Sequence, residues 1–324
     1  MLADENSQNS TKRFVRELQD RETFHSVFLT RDKTVAVGKN GKSFMSVVLC
    51  DSTGSVDARV WDNVDHVADI FQSGDLVKVK GAVQIFQGRK QVVIHKLERV
   101  ETADHNMDDF LSKSAHAPEE MFQKLLSFVD LMQDRNIKQL TLDVLQDPEV
   151  RPKLLIAPAA KTIHHAYLGG LLEHIVSICG IMKGLSSHYG NLNLDYLLFG
   201  AIFHDIGKVW ELQIDQGISY TDKGKLIGHM VIAVELVEKK ASRILGFPDQ
   251  LKDLCKHIIL SHHGRLEYGS PKTPAFLEAF IVAAVDDLDS KINTISQFID
   301  AERDSGESWS RFNSMFERYF YLKS

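Results

Sequence analysis

The sequence predicts an α+β multidomain chain, with a small β-barrel over residues 13–103 followed by an all-α domain over 119–324. Three observations lead there. Hydrophobicity alternates along 13–103 between Gly-containing turn signals, as in half-buried strands. From Glu119 the apolar spacing changes to three and four residues, as helices require. The length, 324 residues, suits two domains better than one.

Residues 1–12, opening MLADENSQNS, are polar and acidic, unlike a signal peptide, and read as a flexible tail. HSVFLTRDKTVAVG followed by KNGK gives a strand and a hairpin turn at Asn40–Gly41. SFMSVVLCDSTGSVDARVWD supplies two more strands about Ser52–Thr53–Gly54, and VADIFQSGD a short helix. DLVKVKGAVQIF, QGRK and QVVIHKLERV complete the alternation around a second Gly-containing turn. Five or six short strands in roughly 90 residues suggest a closed barrel.

Residues 104–118 carry little periodicity and read as a linker. Beyond it, Met121, Leu125, Phe128 and Leu131 share one helical face. Further helices are expected around 136–147, 162–188, 193–206, 225–245, 248–262, 274–302 and 307–322. Thr273–Pro274 suits a helix start, with Thr as N-cap and Pro at the first helical position. The final run, WSRFNSMFERYFYLKS, is amphipathic, suited to packing on its own domain or on another subunit of a homo-oligomer.

Composition narrows the class. The chain is 44% hydrophobic and 25% charged, with net charge −6, so no global basic field marks it as a nucleic-acid binder. A local basic surface would suffice. Cys50, Cys179 and Cys255 are scattered without a CxxC, as in a reduced cytoplasmic protein. No apolar run reaches membrane-spanning length, so no membrane partner is expected.

The histidines are uneven. Nine of 14 lie between His164 and His263. AIFHDIGK ends an apolar helical run with His204 beside Asp205. GGLLEHIVSIC sets His174 on an apolar face, and AFIVAAVDDLDSK sets Asp286 deep in a long apolar helix with Asp289 one turn later. His229 heads another apolar helix, and His262–His263 end a further one. Each alone reads equally as a satisfied core or surface residue. Together, a His, a His-Asp pair and an Asp on separate core helices are what an all-helical metal site needs. His164, His165 and Tyr167 are candidates for binding substrate or supplying a proton. Lys208 is a candidate phosphate contact, although a solvated surface lysine satisfies the sequence equally. His257 would point to a different face from His262, and His188 reads as surface.

The order His174, His204–Asp205, Asp286 resembles the HD superfamily of metal-dependent phosphohydrolases, over roughly 160–290. That resemblance implies that these four residues coordinate a divalent metal. It also implies that His229, His262 and His263 serve a second ion, with Asp205 bridging the two and acting in catalysis. The imidazole-rich set favours Mn, Fe, Co or Zn over Mg, while the carboxylates keep Mn and Mg open, and Mn is the ion expected first. One or two such ions would activate water and stabilise the entering and leaving oxygens of a phosphodiester.

The barrel resembles an OB-fold of the nucleic-acid-binding type. Such folds stack single-stranded bases on aromatics beside a basic groove. Phe44, Trp61 and Phe86 are the candidate stackers, and Arg59, Lys78, Lys80, Arg89 and Lys90 the candidate backbone contacts. Equally, the aromatics could fill the barrel and the charges solvate it. The barrel region holds 14 Lys and Arg against 12 Asp and Glu, a slight basic excess in an acidic chain.

The two-part order resembles the YhaM family of bacterial 3′-to-5′ exoribonucleases. HHAYLGGLLEH, YTDKGKLIGH, SHHGRLEYGSP and DDLDSK carry the likeness beyond the HD ligands. It implies metal-dependent hydrolysis of single-stranded RNA or DNA to nucleoside 5′-monophosphates. Ile175 departs from the small polar residue that many members carry there. Two other readings stand beside this one: an HD enzyme acting on nucleotides or cyclic dinucleotides, and a non-catalytic nucleic-acid binder. The Gly-Tyr-Pro segment usual in the cyclic-dinucleotide branch is absent after His262–His263.

Overall fold

A computed structural model describes residues 12–38, 41–86, 88–161, 165–214, 217–303 and 306–323. The expected tail to Thr11, Asn40 of the first hairpin turn, Gln87 of the second, and His164 lie outside the described residues. The chain forms two compact units whose main division falls between Ser112 and Lys113.

The first unit is a closed five-stranded barrel of β1 (Thr23–Val37), β2 (Ser43–Asp51), β3 (Gly54–Val60), β4 (Leu76–Phe86) and β5 (Arg89–Arg99), in the order β1-β2-β3-β5-β4. The β3–β5 pairing is parallel, with Arg59 opposite Val93, and every other pairing is antiparallel. β1 is long enough to pair with β4 through its first half and β2 through its second. A register shift between Arg31 and Thr34, with Asp32 at φ 48°, bends it between the two. Closure pairs each of the five strands with a neighbour on both sides among the described residues. Alternate residues fill it: Met45, Val47 and Leu49 of β2, Ala58 and Val60 of β3, and Val77 and Val79 of β4 are 3% exposed or less. The expected short helix is α1 (Val64–Ile70). The segment expected as a linker is more ordered than its composition suggests. Phe110 and Leu111 are buried, and a short 3-10 turn spans Met107–Asp109.

The second unit is helical: α2 (Pro118–Val129), α3 (Arg135–Leu145), α4 (Arg151–Ile156), α5 (Gly170–His188), α6 (Leu194–Phe203), α7 (Lys208–Glu211), α8 (Asp222–Leu226), α9 (His229–Ala241), α10 (Asp249–Ser261) and α11 (Leu277–Glu302). α6 is its centre. Every residue from Leu197 to Phe203 is buried, as expected of a helix that is apolar all round. Asn193 caps it, its Oδ1 accepting from Asp195 N at 2.9 Å. Gly200 lets α10 and α11 close on α6, since a Cβ there would meet Val282 at 2.4 Å and Ile258 at 2.9 Å.

The structure corrects four details. The helix expected over 162–188 begins only at Gly170, because Gly169 adopts the left-handed φ of 78°. α11 begins at Leu277 rather than Pro274, since the Ala275 N–H donates to His257 Nε2 at 2.9 Å and holds the chain outside the helix. The run 307–322 is not helical. Trp309 pairs with Tyr321 and Asn313 with Arg318, and Asn313 Oδ1 accepts from Met315 N and Phe316 N. There the β preference of its aromatics and the turn chemistry of Asn override the amphipathic period. The helical unit also contains a two-stranded sheet, β6 (Leu212–Ile214) with β7 (Ile218–Tyr220). Among the described residues, no helix is long and apolar enough to cross a membrane.

Candidate metal centre

The buried helix α6 ends at its C-cap, His204, and Asp205 follows. Both are buried, at 0% and 2% exposure. Gly207 then lets α9 approach, because a Cβ there would stand 2.0 Å from the His229 carbonyl oxygen. The His-Asp pair is thereby delivered to the point where α5, α9, α10 and α11 bring their own polar side chains.

Two sets of ligand-type atoms meet at Asp205. In the first, His174 Nε2 lies 3.2 Å from His204 Nε2 and 3.2 Å from Asp286 Oδ1. Asp205 Oδ2 lies 3.5 Å from His204 Nε2 and 3.8 Å from His174 Nε2. In the second, Asp205 Oδ1 lies 3.5 Å from His229 Nε2 and 3.7 Å from His262 Nε2. His263 belongs to this second set, its ring 4.4 Å from that of His262. All seven residues named from sequence as candidate ligands therefore lie together.

Five imidazoles share one arrangement. The Nδ1–H of His174 donates to Asp289 Oδ2 at 2.8 Å, and that of His229 to Glu211 Oε1 at 3.0 Å. His204, His262 and His263 donate theirs to the carbonyls of Gly200, Ile259 and Tyr268. Each acceptor is a carbonyl or carboxylate, so Nδ1 carries a proton in every ring and Nε2 is the nitrogen turned inward. Oriented histidines of this kind are the usual supports of metal sites. Asp289 is itself fixed by Ser177 Oγ at 2.5 Å.

The electrostatics agree. Burial opposes charge on Asp205, but Lys208, His204 and His229 outweigh it and hold its carboxyl well below the usual range. Burial likewise opposes charge on Asp286, and His204 and His174 outweigh it. Burial, reinforced by His204, pulls His262 well below the usual imidazole value and keeps it neutral. Burial also disfavours charge on His174, yet its hydrogen bonds to Asp286 and Asp289 raise it to about 9.

These residues fit a bound divalent cation. Asp205 Oδ1, His229 Nε2 and His262 Nε2 are buried without a hydrogen-bond partner among the described residues, and all three face one another. A buried polar atom left unpaired costs about 1–3 kcal/mol. On the other side, the inward nitrogens of His174 and His204 lie 3.2 Å apart, an approach that a shared cation, or a proton on one of them, reconciles.

Two further sequence candidates lie beside these sets. His165 lies outside the two sets that meet at Asp205: its Nδ1 meets Tyr167 Oη at 2.7 Å and its Nε2 meets Asp289 Oδ2 at 3.3 Å, and with His174 and Asp289 it makes a third group of ligand-type atoms. It shares Asp289 Oδ2 with His174, from a left-handed backbone at φ 47°. The Lys208 ammonium donates to Asp205 Oδ2 at 2.6 Å and is almost buried, so it is not a solvated surface lysine. His257 packs against Phe276 and holds Ala275, and His188 is exposed. Sequence reasoning notices Asp289 without giving it a task. It misses Glu211, which accepts from both the backbone and the ring of His229.

On the barrel, Phe44, Arg59 and Trp61 come together outside the closed wall. The Phe44 and Trp61 ring centroids are 5.4 Å apart, and the Arg59 guanidinium lies 5.9 Å from the Phe44 ring. Phe86 and Trp61 are about half exposed, so neither fills the barrel. Phe86 pairs with Arg89, and Ile85 with Lys90, at the β4–β5 end. Lys80 and Lys78 lie six and eight residues before Phe86 on β4, roughly 20–26 Å away at strand spacing. The eight candidates therefore do not form one compact patch.

Residues 27–100 match the family model of the OB-fold nucleic acid binding domain, and residues 171–291 match that of the HD domain. Fold and site together define a hydrolase of the HD class carrying an OB-fold. The chain is 35% identical over 294 residues to the 3′-5′ exoribonuclease YhaM of a Geobacillus species, covering 90% of each chain. It is 32% identical over 301 residues to that of Halalkalibacterium halodurans, covering 93% of each. The chain belongs to the YhaM exoribonuclease family.

Proposed function

We propose that this protein is a divalent-metal-dependent 3′-to-5′ exonuclease that hydrolyses single-stranded RNA, and also DNA, to nucleoside 5′-monophosphates. The observation that carries this reading is the Asp205 carboxylate, one oxygen turned to His174 and His204 and the other to His229 and His262. His174, His204, Asp205 and Asp286 would hold one ion, and Asp205, His229, His262 and His263 a second. The donor set, imidazoles with two carboxylates, suits Mn, Fe, Co or Zn, and Mn is the ion chosen for the test. Such ions supply Lewis acidity, which acidifies water and offsets charge on phosphoryl oxygens.

The chain's own residues do the rest. Asp289 and Glu211 hold two imidazoles with Nε2 turned inward. Lys208 keeps the Asp205 carboxylate charged and oriented, and adds a positive charge for the anionic phosphodiester. Phe203 and Ile206, both buried, flank the His-Asp pair and exclude water from its apolar side. Phe44, Arg59 and Trp61 offer the strand a stacking platform on the barrel. The 3′-to-5′ polarity rests on the named relatives. A 5′-monophosphate follows when water attacks the terminal phosphodiester and the 3′ oxygen of the preceding nucleotide leaves.

The test incubates the protein with Mn²⁺ and a 5′-labelled single-stranded oligoribonucleotide, beside the Asp205→Ala variant and a chelated control. The expected result is a ladder shortening from the 3′ end, absent in both controls, with 5′-mononucleotides as product. Hydrolysis of free nucleotides with no action on the oligomer would sink the reading.

A further inference from the structure

His174, His204 and His262 are buried at 1% exposure or less, whereas His263 is half-buried. His263 also lines a cavity of about 250 Å³, with Gly264, Arg265 and Tyr268 on one side and Phe280, Ala283, Ala284, Asp287 and Lys291 of α11 on the other. The cavity and the metal centre thus share one residue as a common wall.

Its chemistry is specific. Tyr268 and Phe280 are 63% and 62% exposed, so both rings are open to solvent at this cavity. Gly264, in a left-handed turn at φ 76°, lies against Ala283, and these small residues leave the space open. The cations at the rim are offset by acidic neighbours: Arg265 pairs with Glu267 at 3.2 Å and Lys291 with Asp287 at 2.6 Å. A phosphate would gain little from such a rim. A flat aromatic group would gain contact with two rings, one of which, Tyr268, has the Arg265 guanidinium 5.8 Å from its centre.

We propose that this cavity receives the 3′-terminal nucleoside of the strand, its base stacked against Tyr268 and Phe280 while its 5′ phosphate reaches the centre past His263. The cavity is smaller than the roughly 300–1,000 Å³ of drug-sized pockets, which suits one nucleoside rather than a run of stacked nucleotides. Stacking accepts every base, so the site reads the presence of a terminal base and not its identity. The inference rests on the nuclease reading and adds to it where the strand end lies.

The test measures kcat/KM on 5′-labelled oligoribonucleotides with an intact end, an abasic terminal unit, or an abasic penultimate unit. The enzymes are wild type, Tyr268→Ala with Phe280→Ala, and the ring-preserving Tyr268→Phe with Phe280→Tyr. The alanine pair should lose about 5- to 150-fold on the intact strand, the range for one stacked base. A terminal abasic unit should cost wild type a similar factor and the alanine pair nothing more, while the ring-preserving pair keeps its rate. An alanine pair as active as wild type would overturn the proposal. So would losses that multiply independently, or a coupling to the penultimate unit instead. A change in oligomeric mass of the alanine pair without change in kcat/KM would make the cavity a contact between copies. A wild-type protein that cleaves no strand would remove the nuclease reading itself, and this proposal with it.

Discussion

Asp289 Oδ2 accepts the Nδ1 proton of His174 at 2.8 Å, from a position one turn beyond Asp286 on the same helix. Two carboxylates three residues apart thus meet opposite nitrogens of one imidazole, Asp286 at the inward Nε2 and Asp289 behind it. Asp289→Asn should weaken Mn²⁺ affinity or activity by about 10–100-fold, the usual cost of losing a support to a ligating histidine. A metal titration of activity, with thermal unfolding as a control for folding, reads this. An unchanged titration would make Asp289 purely structural.

Asp205 faces both ligand sets, and Glu211 supports only the second through His229. Asp205→Ala should lower bound metal in both places and activity by at least about 100-fold. Glu211→Gln should weaken one equivalent of metal and leave the other. Metal stoichiometry after dialysis separates the two. Equal losses in both variants would contradict the division into two sets.

Trp61 stands half exposed against Phe44 on the barrel. Trp61→Ala should weaken single-strand binding by about 1–3 kcal/mol, measured by fluorescence anisotropy. Lys78→Ala and Lys80→Ala should instead flatten the dependence of binding on salt, by about 0.7 in the log–log slope for each phosphate left without its lysine. A salt slope unmoved by either lysine would place the strand elsewhere on the barrel.

In the helical unit, the nearly buried Lys240 ammonium pairs with Asp147 and also donates to the Asp143 carbonyl at 3.0 Å. The hydrogen bond from Lys240 holds the Asp147 carboxyl below its ordinary value of 3.8. A depressed carboxylate stabilises the fold fully above that ordinary value and loses its contribution as pH falls through the lower, folded one. Asp147→Ala should therefore cost about 1.5–3 kcal/mol near pH 7, as for a hydrogen bond to a charged group, and progressively less below pH 3.8. Urea unfolding at several pH values measures it. A penalty independent of pH would point to packing rather than charge.

Much of this is legible from residue type and local period. The alternation along β1 to β5 and the turn residues between them specify a barrel, because a strand sorts its faces every second residue. The apolar stretch before His204 specifies a buried helix ending in two polar groups, and His174 and Asp286 on apolar faces could not be bland together. The run 307–322 shows where local period misleads, since its aromatic spacing suits a helix while its backbone pairs Trp309 with Tyr321.

The sequence by itself determined the two-part architecture and the residue types of the centre, since burial periodicity and chemical identity are local properties. Only the tertiary structure decided that Asp205 faces two ways, that Asp289 supports rather than joins the inner set, that Glu211 orients His229, and that His165 shares Asp289 with His174. Those assignments depend on which atom of each side chain is turned inward. That is set by contacts among helices far apart in the chain, and no spacing along one helix encodes it.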